Sequence, residues 1–227
     1  MSPRTAFRAG WRDSRSLGLV AGLFGLLFGV AAVAADMAPA TAVLLSATVL
    51  AGSAQFAALA LWEAPIPFLV LAVTTALVGA RHILMGITLA PIAKPAPRWQ
   101  RWAGVAILTD FNWAMTVTAP PERRRFAYFL GSGLWLYALW NFGTVAGVLV
   151  PDLLDAETRA AAAGAGTLFL AGLATVLVAG AGRPGLAPVA VAAVAAWLTD
   201  AGLGATMAPA AAVAAGGLAF AVQARLG

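Results

Sequence analysis

Arg81 and His82 stand side by side inside an apolar run, Ile66 to Ala90, that is long enough to cross a bilayer and holds no acidic residue. Insertion scales make arginine unfavourable by roughly 2.5 to 3.5 kcal/mol at a helix centre, so a cation kept there faces protein or a wet cavity and marks a substrate or ion path. Other polar groups are embedded in neighbouring apolar runs. Asp110, between Thr109 and Asn112, is the one carboxylate at membrane depth, suited to meet a substrate ammonium or to carry a coupling proton. Gly52-Ser53-Ala54-Gln55 joins a break-prone glycine to a hydroxyl and an amide. If the helix unwinds there, free N–H groups at a half-helix N-terminus can hold a carboxylate. Arg81 could grip the same carboxylate in bidentate fashion. Asn112 and Asn141 could add amide contacts, and Phe56, Leu84 and Trp113 could line an apolar pocket.

These residues also have packing alternatives. Gly52 and Ser53 could serve only the close approach of two helices, although Gln55 has no such use. Arg81 and Asp110 could form a purely structural ion pair. His82, the only histidine, could relay protons near neutral pH or be satisfied by a neighbouring carbonyl. Asn141, beside Trp140 and Tyr137, could line a cavity or tie helices together.

The elements that must position these groups are membrane segments. Of 227 residues, 62% are hydrophobic and 10% charged, against about 45–50% and 25% in soluble domains. Apolar runs extend over Leu17 to Ala35, Thr41 to Trp62, Ile66 to Ala90, Trp102 to Ala119, Phe126 to Val150, Ala160 to Ala181, and Leu186 to Phe220 with an interruption at Asp200 to Gly204. Several reach the roughly 20 residues that span a bilayer. No polar stretch is long enough for a soluble domain. The expected fold is therefore an all-α polytopic membrane protein with about six to eight segments, forming one transmembrane domain over residues 1–227 with a basic cytoplasmic tail at 1–16.

Lys and Arg number 14 against 9 Asp and Glu, but the charges cluster at the ends of apolar runs, as topology signals do. No nucleic-acid partner is expected. Zero cysteines exclude disulfides and thiolate metal sites. Neither a phosphate-cradling loop nor a catalytic triad is found, so no enzyme, cofactor or metal is expected. Arg4, Arg8, Arg12 and Arg15 followed by an apolar core and Ala32-Val33-Ala34 imitate a signal peptide, yet the core of about 19 residues is too long for one. It reads as an uncleaved first helix.

If every run crosses the membrane once, Glu63 falls inside and the loop carrying Lys94, Arg98 and Arg101 falls outside, against the positive-inside rule. If Thr41 to Trp62 and Trp102 to Ala119 instead enter and leave on one side, the basic residues from Arg4 to Arg15, Lys94 to Arg101 and Arg123 to Arg125 all lie inside, with Asp36 and Glu63 outside. Both runs carry polar and breaking residues at mid-length, and non-helical backbone at that depth survives only beside protein or water. Kinked crossing helices remain the alternative. The re-entrant arrangement implies an inverted repeat, with 41–62 plus 66–90 matching 102–119 plus 126–150 at an offset of 60 residues, which pairs Arg81 with Asn141. Gly18, Gly22, Gly25 and Gly29 form a small-residue face on the first helix, and the Gly- and Ala-rich stretch Ala205 to Phe220 offers another. Such faces call for a helix against them.

Four blocks carry a resemblance, in order along residues 17 to 115: Gly25-Leu26-Leu27-Phe28-Gly29-Val30-Ala31, Ala51-Gly52-Ser53-Ala54-Gln55-Phe56-Ala57, Ala80-Arg81-His82-Ile83-Leu84-Met85-Gly86 running to Leu89-Ala90-Pro91, and Leu108-Thr109-Asp110. Together they resemble the AzlC-type large subunit of bacterial branched-chain amino acid exporters. Residues 126 to 227 match only in hydrophobicity and length. Two positions depart from the family pattern: Gly79-Ala80 replaces Asn-Leu before Arg81-His82, and Phe111-Asn112 follows Thr109-Asp110 where an acidic residue is common.

The resemblance implies a multi-pass permease of the bacterial cytoplasmic membrane, N-terminus inside, that exports Val, Leu, Ile or related apolar amino acids. It also implies a small AzlD-type membrane partner of about 100 residues. The expected substrate-binding set is Gly52, Ser53, Ala54, Gln55, Phe56, Arg81, Asn112 and Asn141, with His82 and Asp110 carrying coupling protons. A non-transporting scaffold or assembly subunit, or a permease for another small zwitterion, is the alternative.

Overall fold

The computed structural model describes residues 1–150 together with Asp155 and Glu157, and all regular structure among them is α-helical. The expected segments Ala160 to Ala181 and Leu186 to Phe220 lie outside the described residues. The chain separates into two compact units, residues 1–55 with 79–165 and residues 56–78 with 166–227. In the second, the described part holds the end of one short helix and most of α5 (Phe68–Gly79).

The first unit is built around α9 (Phe126–Leu149). Its 24 residues measure about 36 Å at 1.5 Å per residue, enough to traverse hydrocarbon. Two helices run along it in the same direction. α1 (Pro3–Asp13) starts at Ser2, whose hydroxyl accepts the Thr5 N–H, with Pro3 preset for the first turn. α2 (Arg15–Ala34) follows after Ser14. The register climbs steadily. Gly131 meets the Phe7 backbone, Gly18 meets Trp135, Gly25 meets Trp140, and Gly29 meets Thr144 and Gly147. A Cβ on Gly143 would sit 2.0 Å from the Gly22 carbonyl oxygen, and one on Gly25 would sit 2.2 Å from that of Trp140. Backbone touches backbone there, which only glycine allows. The small-residue face of the first helix is thus filled by α9 of the same chain, so it does not wait for a second protein.

Beyond α2 the chain reverses at Asp36, which takes a left-handed φ of 57°, and comes back as α3 (Pro39–Thr48). Helix stops over Val49 to Ala51 and resumes as α4 (Gly52–Leu59). α6 (Arg81–Ala93) brings Met85 and Leu89 against Phe126 and Phe129 near the start of α9. α7 (Arg98–Ala106) sets Gly104 on the same two rings, and Ile107 reaches Gly133, one to two turns further along α9. After a second gap at Ile107 to Thr109, α8 (Asp110–Val117) turns back, so that Ala119 packs beside Ala6 and Tyr128. α7 and α8 therefore enter and leave at one end of α9.

Both runs expected to break do so. A third interruption was not foreseen: the run Ile66 to Ala90, read as one helix, is divided at Ala80 between α5 and α6. Gly79 disfavours helix there, and the His82 ring nitrogen Nδ1 takes up the Gly79 carbonyl at 3.0 Å. Charges segregate along α9. Its N-terminal end gathers α1 with its arginines, the α6–α7 link with Lys94, and Arg123, which holds Asp13 at 2.9 Å.

Candidate functional site

Side chains from the first turns of three helices meet around one guanidinium. Arg81, the first residue of α6, holds Asp110 Oδ2 at 3.0 Å through Nη2, and the same nitrogen donates to the Ser53 hydroxyl at the start of α4. Asp110 is the first residue of α8. The two charged side chains keep 29% and 17% of their surface exposed, which leaves the pair open to a small ligand.

Arg81 Nε is buried and has no hydrogen-bond partner among the described residues. Leaving a buried donor unmet costs about 1–3 kcal/mol, more for a charged group. Asp110 stands in the first turn of α8, where the helix dipole favours an anion. Asp110 and the Ser53 hydroxyl both meet Arg81 through Nη2, and Nε is left over.

Neighbouring contacts make the site rigid. Trp113 Nε1 donates to Thr88 Oγ1 at 2.8 Å, tying α8 to α6, and Met85, Leu89, Leu108 and Phe129 pack beneath. The breaks at 49–51 and 107–109 are each closed by an amide. Asn112, fully buried, accepts the Thr109 N–H at 2.8 Å and hydroxyl at 3.0 Å and donates to the Ile107 carbonyl at 2.8 Å, completing a reciprocal cap on α8. Gln55 donates to the Val49 carbonyl and accepts from Ser46 at 3.3 Å and Trp140 at 3.2 Å. Ser46 in turn bonds Thr144 at 2.9 Å.

Of the residues expected to bind substrate, Arg81 and Ser53 come together with Asp110, and Gly52 and Ala54 share the Ser53 turn. Gln55 and Asn112 lie close in sequence to this cluster but have their polar atoms engaged in closing the breaks. Asn141 donates to the Tyr137 carbonyl of its own helix at 2.9 Å. His82 bonds the Gly79 carbonyl, and Phe56 is buried in the other unit. The knot of Ser46, Thr144 and Trp140 was missed from sequence. Its only signal was hydroxyls in apolar runs, which are common as back-bonding groups within a single helix.

A family model described as AzlC protein matches residues 16–154, more than half of the chain and all of the cluster around Arg81. The chain belongs to the AzlC family. No curated protein and no solved structure matches it. The AzlC family is associated with branched-chain amino acid transport. Two described stretches, Arg15–Ala34 and Phe68–Ala93, are long and apolar enough to cross a membrane. Family and hydropathy together make this a membrane protein.

Proposed function

We propose that this AzlC-family chain is the permease subunit of a secondary transporter that exports branched-chain or related apolar amino acids from the bacterial cytoplasm, coupled to the proton gradient. The observation that carries the reading is the buried, unpaired Nε of Arg81 beside a hydroxyl and helix N-termini. An amino acid carboxylate meets that donor and completes the guanidinium in bidentate fashion. As it binds it competes for Nη2, and Asp110, released, is free to take a proton or to hold the ammonium. A purely structural ion pair would gain nothing from leaving Nε empty.

In this reading the N-terminus and the basic end of α9 lie in the cytoplasm, the inner membrane is crossed several times, and segments 41–62 and 102–119 are re-entrant halves of an inverted repeat. The same-end entry and exit of α7 and α8 supports the second of these. Single cysteines at positions 63 and 122 of this cysteine-free chain test it: labelling from opposite sides is expected, and labelling from one side would mean crossing helices. Its partner in this reading is a small AzlD-type membrane subunit, implied by the family resemblance and not by the glycine face, which α9 fills.

Flux is the direct test. Proteoliposomes containing the chain, with and without the small subunit, should accumulate labelled leucine and valine under an imposed pH gradient. No flux in either preparation would favour a scaffold.

A further inference from the structure

At the basic end of the first unit, α6 and α7 enclose a cavity of about 590 Å³ that is open on one side. Gly86, Leu89, Val105, Leu108 and Phe126 make its wall apolar, while Lys94 and Arg101 supply its charge. Among the described residues no acidic side chain lines it, so none of them neutralises the two cations within the cavity. Trp99 and Trp102 stand exposed on α7 beside it, at 69% and 74%. Exposed tryptophans of this kind sit at headgroup level in membranes. The cavity is distinct from the Arg81 cluster, being walled by the far end of α6 rather than by its first turn.

We propose that this groove binds one anionic phospholipid of the cytoplasmic leaflet, with its phosphate on Lys94 and Arg101 and an acyl chain along Gly86, Leu89 and Leu108. Charge and shape favour it over the other occupants of an apolar groove. A transmembrane helix from a partner would bring its apolar face but leave two cations uncompensated, whereas a lipid such as phosphatidylglycerol matches apolar wall and basic rim at once. Basic pockets between membrane helices on the cytoplasmic side are built for this class of headgroup. Gly86 lines the same space, and a Cβ placed on it meets nothing within 4 Å among the described residues, so the groove stays open beside the helix backbone.

The inference depends on membrane placement and not on what the chain carries. Its test is lipid retention by the full-length protein, purified in mild detergent with an equimolar mixture of phosphatidylglycerol and phosphatidylcholine and read by native mass spectrometry. Wild type is expected to keep one phosphatidylglycerol in preference to phosphatidylcholine. Lys94→Gln and Arg101→Gln should each reduce that preference about fivefold, the effect of one cation near a lipid surface. Gly86→Leu should weaken retention by narrowing the groove, while its thermal midpoint holds or rises because leucine favours helix over glycine. Arg8→Gln, exposed on α1 and outside the groove, should change nothing. Equal retention of the two lipids would overturn the proposal, as would wild-type retention in Gly86→Leu or a second copy of the chain cross-linked through position 87.

Discussion

Gln55 and Asn112 occupy corresponding places in the two interrupted segments. Each lies in the first turn of the second half-helix and donates its amide back to a carbonyl at the break, Val49 in one case and Ile107 in the other. Beyond that the surroundings diverge. Gln55 is joined to Ser46, Thr144 and Trp140 in a buried, neutral knot against α9. Beside Asn112 the chain instead presents Asp110, paired with Arg81 and partly open. The common amide is what a broken helix needs, since freed backbone groups cannot be left unmet in an apolar medium. The charges are not needed for that purpose, and of these two breaks only the second carries one, Asp110, while the first adds the Ser53 hydroxyl to the same cluster.

The comparison is broken most severely at Arg81. Arg81→Ala should lower leucine flux about a hundredfold or more, the value of two charge-assisted hydrogen bonds of about 1.5 kcal/mol each. Arg81→Lys should fail similarly, because a point charge cannot reproduce the two-pronged donor. Pairing Arg81→Ala with Asp110→Asn should restore thermal stability by removing the stranded carboxylate, yet leave flux absent. Recovery of flux in the double variant would show the pair to be structural.

Asp110→Asn should have the next largest effect. Gradient-driven accumulation of leucine should collapse toward equal concentrations on both sides, while exchange without a gradient continues. Undiminished accumulation would remove the carboxylate from coupling.

Gln55→Ala and Asn112→Ala sharpen the comparison from the scaffold side. Each should cost about 1–3 kcal/mol by stranding buried groups, read as a lowered melting temperature in detergent, and the folded fraction should bind leucine as before. An Asn112 variant of normal stability but weakened binding would return that amide to the substrate site. Asn141→Leu should matter least. Among the described residues its amide bonds only within α9, so the change is expected to cost under about 1 kcal/mol and to leave flux near wild type.

Much of this was legible in the chain. Hydropathy marked the segments, and polar residues at mid-run, joined by Gly52 in the first, marked both expected breaks to within a few residues. The pairing of Arg81 with Asp110, weighed as one option from sequence, is present. Less legible was the division at Ala80, where Gly79 alone offers a weak local signal inside a strongly apolar run and the closing contact comes from a side chain, His82. The expected match of Arg81 with Asn141 finds no echo in local structure, since one begins a half-helix and the other lies within an unbroken one.

Sequence by itself determined that the chain lives in a membrane, where two of its helical runs fail, and which charged groups are too costly to be idle, because the expense of a polar group in hydrocarbon belongs to each residue in its run. Only the tertiary structure decided which of those groups remain free. Gln55 and Asn112 proved spent on carbonyls, Arg81 kept an unmet donor, and the glycine face of α2 found its partner in α9 more than a hundred residues away. Hydrogen-bond satisfaction and close packing are properties of pairs, and the pairs exist only once the helices have met.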